Sequence, residues 1–146
     1  MNLPVKKLRE NAVLPTRATV GSAGLDLYAC LEQPLTLLPG QLYQVPTGIA
    51  VALPEGTVGL LCGRSGLGVK HGITLSNSVG VIDSDYRGEL AAGLCNVGDK
   101  AYILQPGERF AQLLVVPILL PEPVAAKELP QTQRGEGGFG STGQAG

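Results

Sequence analysis

The stretch Gly80-Val81-Ile82-Asp83-Ser84-Asp85-Tyr86-Arg87-Gly88-Glu89 reads as strand, tight turn, strand. The same pattern extends outward in both directions. Turn signals stand at Pro39-Gly40, Pro54-Glu55-Gly56, Arg87-Gly88, Gly98-Asp99 and Pro106-Gly107. Between them lie short apolar or alternating runs at 25–31, 41–45, 49–53, 57–62, 101–105 and 110–118. Short strands at this spacing predict an all-β sandwich, jelly roll or small barrel. A helical period of 3.6 is absent over any long window, apart from a weak turn near 67–71.

Composition agrees. The chain has 146 residues, one domain's worth, with 21 Gly and 11 Pro. Apolar residues make up 44% and charged residues 16%, the profile of a compact domain. Eleven Lys+Arg against 12 Asp+Glu leave a net charge of −1. No basic stripe is available, which disfavours a nucleic-acid partner. The longest apolar run, 113–120, is broken by Pro117 and falls far short of the ~20 residues that span a bilayer. The first eleven residues carry no secretory pattern. Cys30, Cys62 and Cys95 are odd in number and widely spaced, so neither a disulfide framework nor a zinc site is expected. They read as buried thiols in strand-like segments, and the chain as cytoplasmic. One His excludes any site that needs two.

Three segments could carry chemistry. In Gly80–Glu89, three carboxylates fall within seven residues. A polar hairpin tip would explain them. Alternation also puts Val81 and Asp83 on one face, where a carboxylate at a cavity edge could act as a general base. In Gly63-Arg64-Ser65-Gly66-Leu67-Gly68, glycines surround an Arg-Ser pair. That suits phosphate, or an ordinary loop. It is neither a nucleophile elbow nor a Walker A loop. In the tail, residues 135–146 contain six glycines among twelve. Composition favours a disordered terminus. Yet Arg134, Phe139, Ser141 and Thr142 offer a cation, a ring and two hydroxyls on a backbone able to wrap a ligand. Asp26 is a lone acid in an apolar strand, either a capped turn residue or part of a site. Gln112 alone reads as a core amide, and His71 as a surface loop residue.

Five segments, taken in order, resemble the trimeric dUTPase family. They are 23–29, 64–67, 80–89, 107–112 and 134–143. Lys70-His71-Gly72-Ile73 is similar to bacterial members in particular. Gly63 departs from the Pro usual before Arg-Ser-Gly. The resemblance implies a distorted jelly-roll-like (β-clip) subunit in a homotrimer, with active sites at subunit interfaces. It implies a β-rich core over 1–121, and over 122–146 a linker and Gly-rich arm that closes a neighbour's site. The implied reaction is Mg²⁺-dependent hydrolysis of dUTP to dUMP and pyrophosphate. That keeps uracil out of DNA and supplies dUMP for dTMP synthesis.

Carried over residue by residue, Asp83 would activate the water that attacks the α-phosphorus. Tyr86 would pack on the deoxyribose. Asn77, Ala91 and the backbone of Val81, Ile82 and Asp83 would read the uracil. Arg64, Ser65, Gly66 and Gln112 would hold phosphates. Asp26 would support the metal's water shell indirectly, since Mg²⁺ binds mainly through substrate phosphates. Phe139 would stack over uracil, and Arg134, Gly140, Ser141 and Thr142 would bind the β- and γ-phosphates. Two relatives remain as alternatives: a dCTP deaminase type, and a non-catalytic nucleotide-sensing homologue.

Overall fold

The computed structural model describes residues 1–140 and 143. Eleven strands and one helix follow in chain order. They are β1 (Val5–Lys7), β2 (Leu25–Tyr28), β3 (Leu35–Leu37), β4 (Leu42–Pro46), β5 (Ile49–Val51), β6 (Thr57–Gly63), α1 (Ser65–His71), β7 (Ile73–Leu75), β8 (Gly80–Ile82), β9 (Ala91–Asn96), β10 (Tyr102–Leu104) and β11 (Arg109–Pro117). The expected all-β architecture is present. No helix among the described residues is long and apolar enough to cross a membrane.

The largest sheet runs β2-β11-β6-β8, and a second runs β4-β9-β7. Two ribbons, β1-β5 and β10-β3, complete the set. Every pairing is antiparallel. β11 is the longest strand and pairs on both edges, with β2 and with β6. An irregularity in the β2 pairing between Arg109 and Ala111 lets Phe110 and Ala111 both turn inward. Strict alternation then resumes. Leu113 is buried, while Gln112 and Leu114 are half-exposed on the other face.

Leu27, Leu37, Val45, Ile49, Leu90, Leu94, Leu104, Phe110 and Leu113 form the core between the sheets. Its aliphatic character follows from a chain with only two Phe and no Trp. Thr47 and Asn96 are the buried polar residues among those described; the Asn96 amide donates to the carbonyls of Leu37 (2.9 Å) and Lys100 (2.7 Å), and its oxygen accepts from the Gly98 N–H. Fully satisfied, Asn96 costs little to bury.

Three local expectations change. Gly80–Glu89 is not a hairpin. β8 before it pairs with β6, and β9 after it pairs with β4 and β7. The turn is therefore a corner between two sheets, which local sequence cannot distinguish from a hairpin because strand partners are non-local. The weak helical turn is a real helix, α1. It is closed by Gly72 in the left-handed region (φ 67°), and His71 lies on it rather than in a loop. Only Cys30 is buried, just beyond β2, while Cys62 and Cys95 are half-buried in β6 and β9.

Candidate active site

The register of the large sheet builds one candidate cavity. Gln112 stands opposite Asp26 on β2 and opposite Cys62 on β6. Directly opposed residues point to the same face, so a carboxylate, an amide and a thiol form a row. Beyond Cys62 the chain leaves β6 through Gly63 and Arg64 into α1. A cavity of about 440 Å³ results, lined by Asp26, Cys62, Arg64, Ser65, Gly66 and Gln112 and walled by Ala18 and 22–24.

Within it, Asp26 holds two guanidiniums. Arg64 Nε lies 3.2 Å from Oδ1, and Arg109 Nη1 lies 3.3 Å from Oδ2. The Asp26 side chain is only 13% exposed. Paired on both oxygens, it can be carried there as an anion. Arg64 is further fixed through Nη1, which donates to the Arg109 carbonyl at 3.3 Å. Gln112 Nε2 donates to the Gly63 carbonyl at 2.9 Å. Gly24 makes room for that side chain: a Cβ there would overlap Gln112 Oε1 and lie 3.1 Å from its Cδ. α1 has no side-chain N-cap, which leaves its first amides available to solvent or an anion.

The sheet corner builds a second candidate cavity. Val81, Ile82, Asp83, Tyr86 and Ala91, with Gln44 and Glu89, line a cavity of about 270 Å³. The Tyr86 N–H donates to the Asp83 carbonyl at 3.1 Å, closing the turn. The Tyr86 hydroxyl donates to the Glu89 carbonyl at 3.1 Å. Arg87 donates to the Ser84 carbonyl at 2.7 Å. The tip is thus shaped by its own backbone, and Asp83 and Val81 are left exposed at the cavity mouth.

The two cavities share no residue. Asn77 is exposed in the turn before β8 and lines neither. The hydrogen bonds of residues 119–140 run only within that segment or to Gly143 among the described residues, as in Arg134 Nε to the Gly137 carbonyl (2.7 Å). Phe139 is fully exposed. Arg134, Phe139 and Gly140 line neither of these two cavities. Ser141 and Thr142 lie outside the described residues.

Next to the Arg64 cavity, the Tyr102 hydroxyl donates to Glu108. Burial first, then that hydrogen bond and the Glu108 charge, push its pKa up to about 12, against a smaller opposing pull from Arg64. The His71 ring packs against Tyr102 at 4.7 Å.

The family description dUTPase matches residues 10–143. The chain belongs to the dUTPase family. Its enzyme class is that of a dUTP diphosphatase. A deoxyuridine 5'-triphosphate nucleotidohydrolase of Hydrogenobaculum sp. is 52% identical over 98% of this chain and 99% of that one. Its counterpart in Burkholderia cenocepacia is 50% identical over 99% and 98%. Among solved structures, the dUTPase of Staphylococcus bacteriophage 80alpha with dUpNHpp superposes with a TM-score of 0.85 at 32% identity, covering 97% and 98% of the two chains. A mutant dUTPase from phage phi11 of S. aureus, described as coordinating a structural Mg(II) ion, superposes at 0.82 with 29% identity over 90% and 100%.

Sequence reasoning passed over Arg109, Cys62, Glu89 and Gln44, which line or brace these two cavities. Arg109 sits within the fourth segment but was not singled out. Its signal is its place at the start of the strand that pairs with Asp26. Cys62 precedes Gly63 by one residue and follows from β-alternation. Glu89 ends the third segment. Gln44 carried no signal, because only the β4–β9 pairing brings it there.

Proposed function

We propose that this chain hydrolyses dUTP to dUMP and pyrophosphate at sites shared between the subunits of a homotrimer. The observation that carries the reading is the division of chemistry between two cavities. One offers a carboxylate, an aromatic ring and strand backbone. The other offers an arginine, a hydroxyl, an amide and uncapped helix N–H groups. A nucleoside triphosphate needs both, so one copy's Asp83 cavity would face another's Arg64 cavity. The sheet face outside the core supports such packing. Leu60 stands opposite both Val81 and Leu114, and Val81 is 65% exposed. Exposed apolar surface of this kind marks an interaction site.

In the mechanism, Asp83 accepts a proton from a water whose oxygen attacks the α-phosphorus. The bond from that phosphorus to the α,β-bridging oxygen breaks, and the electron pair leaves with pyrophosphate. A positioned base of this kind contributes about 10²–10⁴-fold. Arg64, Ser65, Gly66 and Gln112 hold the phosphate chain, and Asp26 fixes Arg64 while it does so. Tyr86 packs on the deoxyribose and leaves no room for a 2′-hydroxyl. Asn77, Ala91 and the Val81–Asp83 backbone read the uracil edge. Backbone donors and acceptors reject a mismatched base far more strongly than apolar contact does. On this reading 1–121 is the core and 122–146 an arm. It would bring Phe139 onto the uracil and Arg134, Gly140, Ser141 and Thr142 onto the outer phosphates of a neighbouring site, excluding water.

Mg²⁺ would neutralise part of the triphosphate charge when bound. No group of three or more His, Cys, Asp or Glu forms a metal cage among the described residues. Such an ion would be held mainly by substrate phosphates through retained waters. Asp26 is the one carboxylate lining the phosphate cavity among the described residues; its two guanidinium partners leave it a water-mediated role. Removal of dUTP withholds uracil from DNA, and dUMP feeds dTMP synthesis, work that belongs with a cytoplasmic nucleotide pool.

The test is complementation. Asp83→Asn and Arg64→Ala chains are each expected to be inactive alone. Co-expressed, they assemble mixed trimers in which about a quarter of shared sites receive both intact residues. Recovered turnover supports the shared site. No recovery in verified mixed trimers means both residues come from one chain.

A further inference from the structure

Glu89 lines the Asp83 cavity, yet its carboxylate is turned to other work. Arg9 Nη2 lies 2.7 Å from Oε1 and donates to Oε2 at 2.9 Å. The Gly48 N–H donates to Oε1 at 2.9 Å. A charged group with this many partners is held in one place. Gly48 itself is closely packed. It sits at φ +68°, and a Cβ there would lie 2.6 Å from Cys30 Sγ and 2.9 Å from Ala12 Cβ. The next residue is locked as well. Leu90 is buried, its N–H donates to the Ile49 carbonyl (2.8 Å), and its carbonyl accepts from the Thr47 N–H (3.0 Å) and hydroxyl (2.6 Å).

The carbonyl of Glu89 therefore has a fixed address, and it is the acceptor for the Tyr86 hydroxyl. Gly88 closes the clamp. A Cβ there would overlap the Tyr86 hydroxyl and lie 2.9 Å from Cε2. Position passes from the core through Thr47 and Leu90 to Glu89, and from Glu89 to the tyrosine ring. The ion pair also cancels the second carboxylate of the cavity, leaving Asp83 without an ion-pair partner among the described residues.

We propose that Glu89, braced by Arg9 and the Gly48 amide, is the positioning residue that fixes Tyr86 and thereby sets discrimination between deoxyribose and ribose. This rests on the reading that Tyr86 packs on the sugar. A ring held at both its backbone and its hydroxyl cannot retreat from a 2′-hydroxyl. A ring held only at its backbone can.

The test is the ratio of kcat/KM for dUTP to kcat/KM for UTP, measured on full-length protein. The variants are Glu89→Ala, Arg9→Ala, Tyr86→Phe and Tyr86→Ala. Losing one net hydrogen bond's worth of restraint predicts about a 3- to 10-fold fall in the ratio for Glu89→Ala and Tyr86→Phe. The double variant should fall no further than either single change. Arg9→Ala, at a half-exposed surface residue, should shift the ratio the same way by less. It keeps the test available if Glu89→Ala does not fold. A merely structural role would lower turnover of both nucleotides together and leave the ratio unmoved. An unmoved ratio in the Glu89 and Arg9 variants, with Tyr86→Ala admitting UTP, overturns the positioning role and leaves the sugar reading intact. If Tyr86→Ala also leaves UTP rejected, the sugar reading itself falls, and the proposal with it.

Discussion

Gly24→Ala should weaken the proposed phosphate site by displacing Gln112. Gly24 precedes β2 and faces Gln112 across the strand pair. An added Cβ would overlap Gln112 Oε1 and lie 3.1 Å from Cδ and 3.3 Å from Cβ. The overlapped atom is the end of a flexible side chain, so the chain can relieve the clash by swinging Gln112 away. The cost in stability is then the lost bond from Nε2 to the Gly63 carbonyl, about 0.5–1.5 kcal/mol. For a domain of this size that is a fall in Tm of about 2–5 °C. The cost in activity is larger. A hydrogen bond to a charged phosphate is worth about 1.5–3 kcal/mol, or about 10- to 100-fold in kcat/KM for dUTP. A double-mutant cycle isolates the route. In a Gln112→Ala background the methyl meets only Cβ, and Gly24→Ala should cost less than about 3-fold. Pyrophosphate release and thermal melts on the four proteins measure both quantities. Wild-type activity in Gly24→Ala refutes the reasoning. So does an undiminished loss in the Gln112→Ala background.

Other outcomes follow from the same geometry. Asp83→Asn should keep dUTP binding, read by calorimetry, and lose about 10²-fold or more in kcat; near-normal turnover would remove Asp83 as the base. Truncation after Gln133 should lower turnover and leave the number of subunits, read by light scattering, unchanged, because residues 119–140 bond only locally among the described residues; full activity would mean the arm closes nothing. Tyr102 titrates near 12 when folded and near 10 when unfolded. The folded state binds that proton more tightly, so its contribution is complete below pH 10 and is lost as pH rises towards 12. Melts at pH 9 and pH 11.5 should show a smaller alkaline loss in Tyr102→Phe than in the parent; equal losses would contradict the shift.

Much of this architecture was legible because alternation is local. The runs at 57–62 and 110–118 announced β6 and β11, and once those strands pair, Gln112, Asp26 and Cys62 must share a face. Partnership was not legible. The turn at Asp83 looks identical in sequence whether its flanking strands pair with each other or with β6 and β4. α1 was faint because Gly66 and Gly68 interrupt its apolar face and it spans under two full turns. The ties of Asp26 to Arg109 and of Arg9 to Glu89 span 83 and 80 residues. No local pattern encodes such pairs. The segment resemblance supplied Asp83, Tyr86, Arg64 and Gln112 together, whereas residue chemistry alone left each beside a plain structural explanation. Glu89 shows the reverse case, since its carboxylate reads as part of a polar hairpin tip until the Gly48 amide and Arg9 are placed around it.

The most direct measurement is release of pyrophosphate from dUTP, dCTP, dTTP and UTP, each with Mg²⁺, by the full-length protein. Turnover confined to dUTP is the expected result, and it would establish base and sugar selection together. Deamination of dCTP, or silence on all four nucleotides, would contradict the account.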